Sequence, residues 1–112
     1  MKLKSKALTS SEDFLANRKA HLEALGLVEE AVAAAAQGGG EAARDRQRSR
    51  GKMPPRERVA NLLDPGSPFL EVGATAAHDM YGGDAPCAGV IAGVGRVSGT
   101  ECMVVCNDAT GK

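Results

Sequence analysis

The chain has 112 residues, and its 14 basic and 14 acidic side chains give a formal net charge of zero. This length allows one small domain, and the balanced charge creates no overall field that would attract nucleic acid or a membrane surface. Aromatic residues make up only 3% of the sequence, which predicts a core completed against further protein, because aromatic side chains usually supply much of the buried area.

The first 40 residues predict a polar tail followed by one long helix. Ser10 and Asp13 have the spacing of a helix start. Gly38-Gly39-Gly40 predicts its end, as glycine does at helix C-termini. We expect residues 1–40 to form a tail and helical arm whose apolar stripe packs on a neighbouring domain or subunit. Between these signals, apolar residues recur at helical spacing at Leu15, Leu22, Leu25, Val28, Val32 and Ala35.

Shorter elements are predicted in the middle of the chain. Pro54 and Pro55 suit the first turn of a second helix, whose apolar residues include Val59. Residues 64–68, Asp-Pro-Gly-Ser-Pro, predict a type II turn, and residues 69–73 predict a short strand. A glycine-containing loop is expected over residues 74–88.

The segment GVGRVSGTE, residues 93–101, resembles a dinucleotide-binding fingerprint at first sight. Its spacing is G-x-G-x-x-x-G, one residue longer than that fingerprint, and the ECMVVC that follows is typical of a strand. Two strands joined near Ser98-Gly99-Thr100 predict a hairpin. No helix N-terminus is then available to hold a phosphate, which argues against a dinucleotide site.

Three cysteines, Cys87, Cys102 and Cys106, include no C-x-x-C pair, and no signal peptide precedes them. We therefore expect free thiols and a reducing compartment, the cytoplasm or a mitochondrial matrix. Cys102 and Cys106 share one face of a strand and are expected to be buried as small apolar side chains. We expect no metal site, because the cysteines and the distant histidines offer too few ligands.

Half of the basic residues lie in a 15-residue segment with three possible roles. They can form a solvated helix surface, bind nucleic acid, or bind a small ligand rich in phosphate. The lack of interleaved aromatic residues argues against nucleic-acid binding. Arginine guanidinium groups, which can donate two hydrogen bonds side by side, together with a lysine are suited to bind several phosphate oxygens. The residues alone do not decide between the first and third roles. The segment contains Arg44, Arg46, Arg48, Arg50, Lys52, Arg56 and Arg58.

Several motifs in a fixed order resemble the start of the carboxyltransferase (β) subunits of biotin-dependent acyl-CoA carboxylases. They are Arg50-Gly51-Lys52, Arg56-Glu57-Arg58 and the Leu-Leu-Asp-x-Gly-Ser run at 62–67. Residues 80–110, MYGGDAPCAGVIAGVGRVSGTECMVVCNDAT, extend the likeness. The Asn-Asp-Ala-Thr run at 107–110 is similar to the methylcrotonyl-CoA carboxylase branch or to its geranyl-CoA relative.

The resemblance implies a fold class and a reaction. The fold would be α/β, or α+β within this fragment, with N-terminal helices followed by the first hairpin of an incomplete crotonase-type ββα fold. Residues 41–112 would begin the carboxyltransferase domain. The reaction would move a carboxyl group from carboxybiotin to an acyl-CoA such as 3-methylcrotonyl-CoA, with backbone N–H groups stabilising the developing oxyanions.

The same resemblance implies partner subunits and an inactive fragment. Biotin would be carried by a partner biotin carboxylase or biotin carrier subunit, and the complete subunit would form a homo-oligomer. The oxyanion-hole segments of the family lie beyond these motifs, so we expect an N-terminal fragment with no catalytic residue of its own and no activity alone. A biotin-dependent acyl-CoA decarboxylase subunit and a non-catalytic interaction fragment are the alternatives.

The implied ligand assigns a role to part of the basic segment. CoA carries several phosphate charges, so Arg50 and Lys52, with Arg46 beside them, are candidates to bind the CoA phosphates. Gly51 is expected to bring two cations to one side because it has no Cβ to obstruct them. The alternative is that Arg50 and Lys52 pair with acidic residues or carbonyls at a subunit interface.

Overall fold

The computed structural model describes residues 1–111. The chain divides into two compact units, residues 1–30 and the segment from Ala31 onward. Two short 3₁₀ turns, Met80–Gly83 and Pro86–Gly89, precede the second strand. The elements in chain order are α1 (Glu12–Ala36), α2 (Glu41–Ser49), α3 (Pro55–Leu62), β1 (Leu70–Val72), β2 (Val90–Val97) and β3 (Thr100–Asn107).

The first unit consists of the tail and most of α1. Ser11 caps the helix, since its Oγ accepts a hydrogen bond of 3.2 Å from the Phe14 N–H. The predicted helix start is therefore displaced by one residue from Ser10. Leu15 and Leu22 of the predicted apolar stripe are 54% and 49% exposed, so this face of α1 is largely uncovered. Over residues 1–111, no helix combines the length and apolar character needed to cross a bilayer.

The glycine run after α1 and the two prolines at the start of α3 act as predicted. Gly38 has φ of 57°, the left-handed conformation that ends many helices. Pro55 occupies the first turn of α3, where a missing N–H costs nothing. The sequence pattern predicts no boundaries for α2, because its arginine-rich sequence has no apolar periodicity.

A three-stranded antiparallel sheet follows, in the order β1-β2-β3. The predicted hairpin is confirmed, with Val90 opposite Asn107 and Val97 opposite Thr100. The core lies between the inner face of this sheet and α3. Its buried side chains are Val59, Cys87, Ile91, Val104 and Cys106.

Two of the three glycines that suggested a cofactor loop have a packing role. A Cβ on Gly93 would lie 2.5 Å from the ring of Phe69, and a Cβ on Gly95 would lie 2.3 Å from Leu63. Leu63 and Phe69 pack against the core at these positions. Glycine is required in β2 because two large side chains occupy the space of a Cβ.

The outer face of the sheet is apolar and exposed. Leu70 lies opposite Val94, which lies opposite Met103 in the next strand. A second apolar row contains Val72, Ala92 and Val105. Leu70, Met103 and Val105 are each at least 64% exposed. The inner face of the sheet is thus covered by α3, and its outer face is uncovered within residues 1–111.

Asp64 joins the turn after α3 to the hairpin. Its Oδ1 and Oδ2 accept hydrogen bonds from the N–H groups of Ser98 and Gly99, at 2.7 and 2.8 Å. Its own N–H donates to the Arg96 carbonyl at 2.8 Å. The predicted type II turn is present, with Gly66 at φ of 74°. The aspartate of the Leu-Leu-Asp-x-Gly-Ser motif thus fixes the tip of the hairpin.

We expect Asp64→Ala to lower the free energy of unfolding by about 1–3 kcal/mol, because two N–H groups lose a charged acceptor. Urea denaturation followed by circular dichroism measures the change. Glu30→Ala, at an exposed helix position, is the control and should change stability by less than about 0.5 kcal/mol. Equal effects of the two substitutions would contradict a structural role for Asp64.

Cys87 is a buried thiol beside charged groups. Burial raises the pKa of Cys87, the Arg56 guanidinium opposes this rise, and the Asp108 carboxylate adds to it. Only 2% of Cys87 is exposed. Because the thiolate is the reactive form, a raised pKa and burial both make this cysteine inert at neutral pH.

In the native chain we expect Cys102, which is partly exposed, to be alkylated at least roughly 10-fold faster than Cys87, since a buried thiol reacts only after local opening. Iodoacetamide labelling followed by mass spectrometry measures both rates. Raising the pH through the ordinary range of a cysteine should leave Cys87 mainly protonated and slow. In urea the two rates should converge, and a fast-reacting Cys87 in the folded chain would refute its burial.

Candidate functional site

The seven cations between residues 44 and 58 divide into two groups. Arg44 donates a hydrogen bond to the Gln37 carbonyl at the end of α1. Arg48 forms ion pairs with Asp45 and Glu57. Arg58 makes one long contact of 3.5 Å with the Met53 carbonyl. These three side chains bind parts of the chain itself.

Arg56 belongs to the same structural group. Its two terminal nitrogens donate to the two carboxylate oxygens of Glu71 at 2.9 and 2.8 Å. These hydrogen bonds raise the pKa of Arg56 above its ordinary value, so it stays charged. The pair is half-buried and ties α3 to β1. Arg56 is therefore a structural residue.

The remaining cations, Arg46, Arg50 and Lys52, have no hydrogen-bond or ion-pair partner for their side chains within residues 1–111. They are exposed. All three line one cavity of about 530 Å³. The structure thus brings together, on one cavity, the three residues that the sequence singled out.

Helix geometry explains this separation. Arginines occur at every second position from 44 to 50, and residues two apart on a helix point in different directions, whereas residues four apart share a side. Arg44 and Arg48 therefore share one side of α2, and both bind the chain. Arg46 lies on another side of α2, and Arg50 follows directly after the last helical residue; both line the cavity.

The turn after α2 carries Arg50 and Lys52 into the cavity. The N–H groups of both residues donate to the Gln47 carbonyl, at 3.1 and 2.9 Å. Gly51 between them has φ of 70°. A Cβ on Gly51 would meet nothing within 4 Å. The prediction that glycine is needed here because a Cβ would obstruct the two cations is therefore wrong. Glycine is favoured here because of the left-handed backbone.

Other walls of the cavity come from distant parts of the chain. Gly38 and Gly39 contribute from the loop after α1, and Thr110 from the segment after β3. Asp84 contributes a carboxylate from the loop before β2. Gln47 also lines the cavity, and its Oε1 is buried without a hydrogen-bond partner in the described chain. The sequence analysis did not predict that these residues line the cavity. The glycine run and the Asn-Asp-Ala-Thr run were recognised as motifs, but their sequences do not show that they meet.

The chemistry available in the cavity is electrostatic. Three cations against one carboxylate attract an anion with several oxygens, and two of the cations are arginine forks. No group of three or more histidine, cysteine, aspartate or glutamate side chains within residues 1–111 is placed to hold a metal ion. The cavity is therefore a candidate for binding an anionic group.

Comparison with known proteins identifies relatives of this chain. Residues 46–112 match the family described as the carboxyl transferase domain. The biotin-dependent 3-methylcrotonyl-coenzyme A carboxylase beta1 subunit of Mycobacterium tuberculosis is 63% identical over 81 residues, which are 72% of this chain and 15% of that protein.

Solved structures show the same likeness. The beta subunit of P. aeruginosa geranyl-CoA carboxylase superposes with a TM-score of 0.74 and 37% identity, over 96% of this chain and 20% of that one. Transcarboxylase 12S, a hexamer with hydrolyzed methylmalonyl-coenzyme A bound, gives a TM-score of 0.67 and 37% identity, over 78% of this chain and 18% of that one.

The chain thus spans a fifth or less of the length of each of these relatives. The structural neighbours are crotonase-fold carboxyltransferases, which confirms the predicted fold class of helices followed by the first hairpin of that fold. A family match over more than half of the chain, together with linked motifs in the family's order, leads to one conclusion: the chain belongs to the carboxyl transferase domain family.

Proposed function

We propose that this chain is part of the carboxyltransferase (β) subunit of a biotin-dependent acyl-CoA carboxylase, and that residues 41–112 begin its carboxyltransferase domain. The acceptor would be a branched, unsaturated acyl-CoA such as 3-methylcrotonyl-CoA. The 63% identity to the mycobacterial beta1 subunit supports this choice. The free thiols of all three cysteines agree with a cytoplasmic or mitochondrial-matrix location.

The observation that carries the proposal is the convergence of Arg46, Arg50 and Lys52 on one cavity. CoA has a pyrophosphate and a 3′-phosphate, and each offers several charged oxygens. Arginine can bind two such oxygens at once, and lysine adds a compact point charge. A cavity of about 530 Å³ lies within the usual range for small-molecule sites. We therefore assign these three residues to the CoA phosphates.

The role of these residues is binding and orientation. A biotin on a partner carboxylase or carrier subunit would supply the carboxyl group. Anchoring the phosphates at Arg46, Arg50 and Lys52 fixes one end of the acyl-CoA, so its thioester end is presented at a constant distance. Such anchoring lowers the entropy cost of the chemical step. We assign no residue of this chain to that step and propose that the 112-residue chain has no activity alone.

We expect Arg50→Ala to weaken the affinity of the chain for CoA by roughly 10- to 100-fold, the effect of losing one or two charge-assisted hydrogen bonds. Isothermal titration calorimetry measures the dissociation constant. The matched control is Arg58→Ala, which removes the same side chain from a position outside the cavity and should leave affinity nearly unchanged. Equal losses of CoA affinity in the two variants would show that binding depends on the overall charge of the chain. An unchanged affinity in Arg50→Ala would refute the assignment of Arg50 to the CoA phosphates.

We further expect that the wild-type chain does not carboxylate 3-methylcrotonyl-CoA, because the oxyanion donors are proposed to lie elsewhere in the complete subunit. The assay supplies a biotinylated carrier, its carboxylase, ATP and bicarbonate, and follows labelled bicarbonate into acid-stable product. A longer β subunit that includes this segment should be active under the same conditions and is the positive control. Turnover by the chain alone would show that its own residues perform the chemistry.

A further inference from the structure

The Asn-Asp-Ala-Thr run forms a buried polar contact at the end of β3. Asp108 is only 9% exposed, and its N–H donates to the Gly89 carbonyl at 2.8 Å. Its Oδ1 accepts a hydrogen bond of 2.9 Å from the Thr110 N–H and a second one from the Thr110 hydroxyl. The carboxylate therefore fixes both the backbone and the side chain of Thr110.

Thr110 in turn holds the glycine run that follows α1. The Gly39 N–H donates to the Thr110 Oγ1 at 3.0 Å. A Cβ on Gly39 would lie 1.5 Å from the Thr110 carbonyl oxygen, and a Cβ on Gly38 would lie 2.9 Å from the Asp108 Oδ2. Both contacts are too close for any side chain on these residues, so the glycines allow the two segments to touch.

These contacts form part of the cation-lined cavity. Gly38, Gly39 and Thr110 line it together with Arg46 and Arg50. Helix α2 begins at Glu41, two residues after Gly39. A bond that fixes Gly39 therefore also fixes the start of the helix that carries Arg46 and ends just before Arg50.

We propose that Asp108, Thr110 and Gly39 form a latch that positions the cavity for the CoA phosphates, with Thr110 as its central positioning residue. The proposal rests on the proposed function, since it specifies how the same cavity is held in shape. The Thr110 hydroxyl is suited to this role because it donates to the Asp108 carboxylate and accepts from the Gly39 N–H at the same time.

The decisive comparison uses three variants of the full chain. Thr110→Val keeps the shape but removes the hydroxyl, and it should weaken CoA affinity by roughly 10-fold, as expected when a hydrogen-bonded positioning contact is lost. Thr110→Ser keeps the hydroxyl and should restore wild-type affinity. Thr100→Val makes the same change at the exposed start of β3 and should have no effect. Calorimetry with CoA measures all affinities.

A second measurement on the wild-type chain covers the case in which Thr110→Val fails to fold. Amide hydrogen exchange of Gly39, followed by NMR, reports opening of the latch. If the latch and the CoA site are coupled, CoA should slow this exchange, because coupling between sites is reciprocal. Gly99, at the hairpin tip, should be unaffected.

The possible failures are distinguishable. If the wild-type chain does not bind CoA, the assignment of the cavity to CoA phosphates is wrong and the latch has no such ligand to position. If it binds CoA but folded Thr110→Val binds equally well, the proposed function stands and the latch proposal is overturned. An unchanged Gly39 exchange rate on adding CoA to a binding-competent wild type also overturns it.

Discussion

The packing of Leu63 and Phe69 against the bare backbone of Gly93 and Gly95 is the contact on which this small structure depends. It brings the end of α3 and the turn after it onto the inner face of the sheet. Asp64 then reaches the hairpin tip. With few aromatic residues available, close approach over glycine replaces the bulk that would otherwise fill the core. The same glycines that looked like a phosphate loop thus serve the core.

Much of this fold could be predicted where the signal is local. The prolines at the start of α3, the Pro-Gly turn and the two strands of the hairpin each act through neighbouring residues, and each was found where predicted. The cavity walls could not be predicted in this way, because the Gly39–Thr110 hydrogen bond joins residues 71 apart. Local patterns contain no information on which distant segments meet. Glycine at position 39 is explained only by the carbonyl that approaches it.

Pairing within the chain divides the cations of the basic segment into two groups. Sequence alone counts seven cations and does not show which of them have partners. The structure pairs Arg48 and Arg56 with carboxylates and leaves Arg46, Arg50 and Lys52 on one cavity. The two-residue spacing of the arginines on α2 produces both outcomes at once. One side of a single short helix binds other parts of the chain, and the other side lines the cavity.

The exposed outer face of the sheet has a consequence for handling the chain. β3 pairs with β2 along one edge only within residues 1–111, and its outward side chains include Met103 and Val105. An open edge next to an apolar face is a template for strand addition by another molecule, and natural proteins usually protect such edges. Self-association rises with protein concentration, whereas unfolding of a monomer does not. Dilution should therefore keep a solution of this chain monodisperse for longer, since it slows strand addition between molecules.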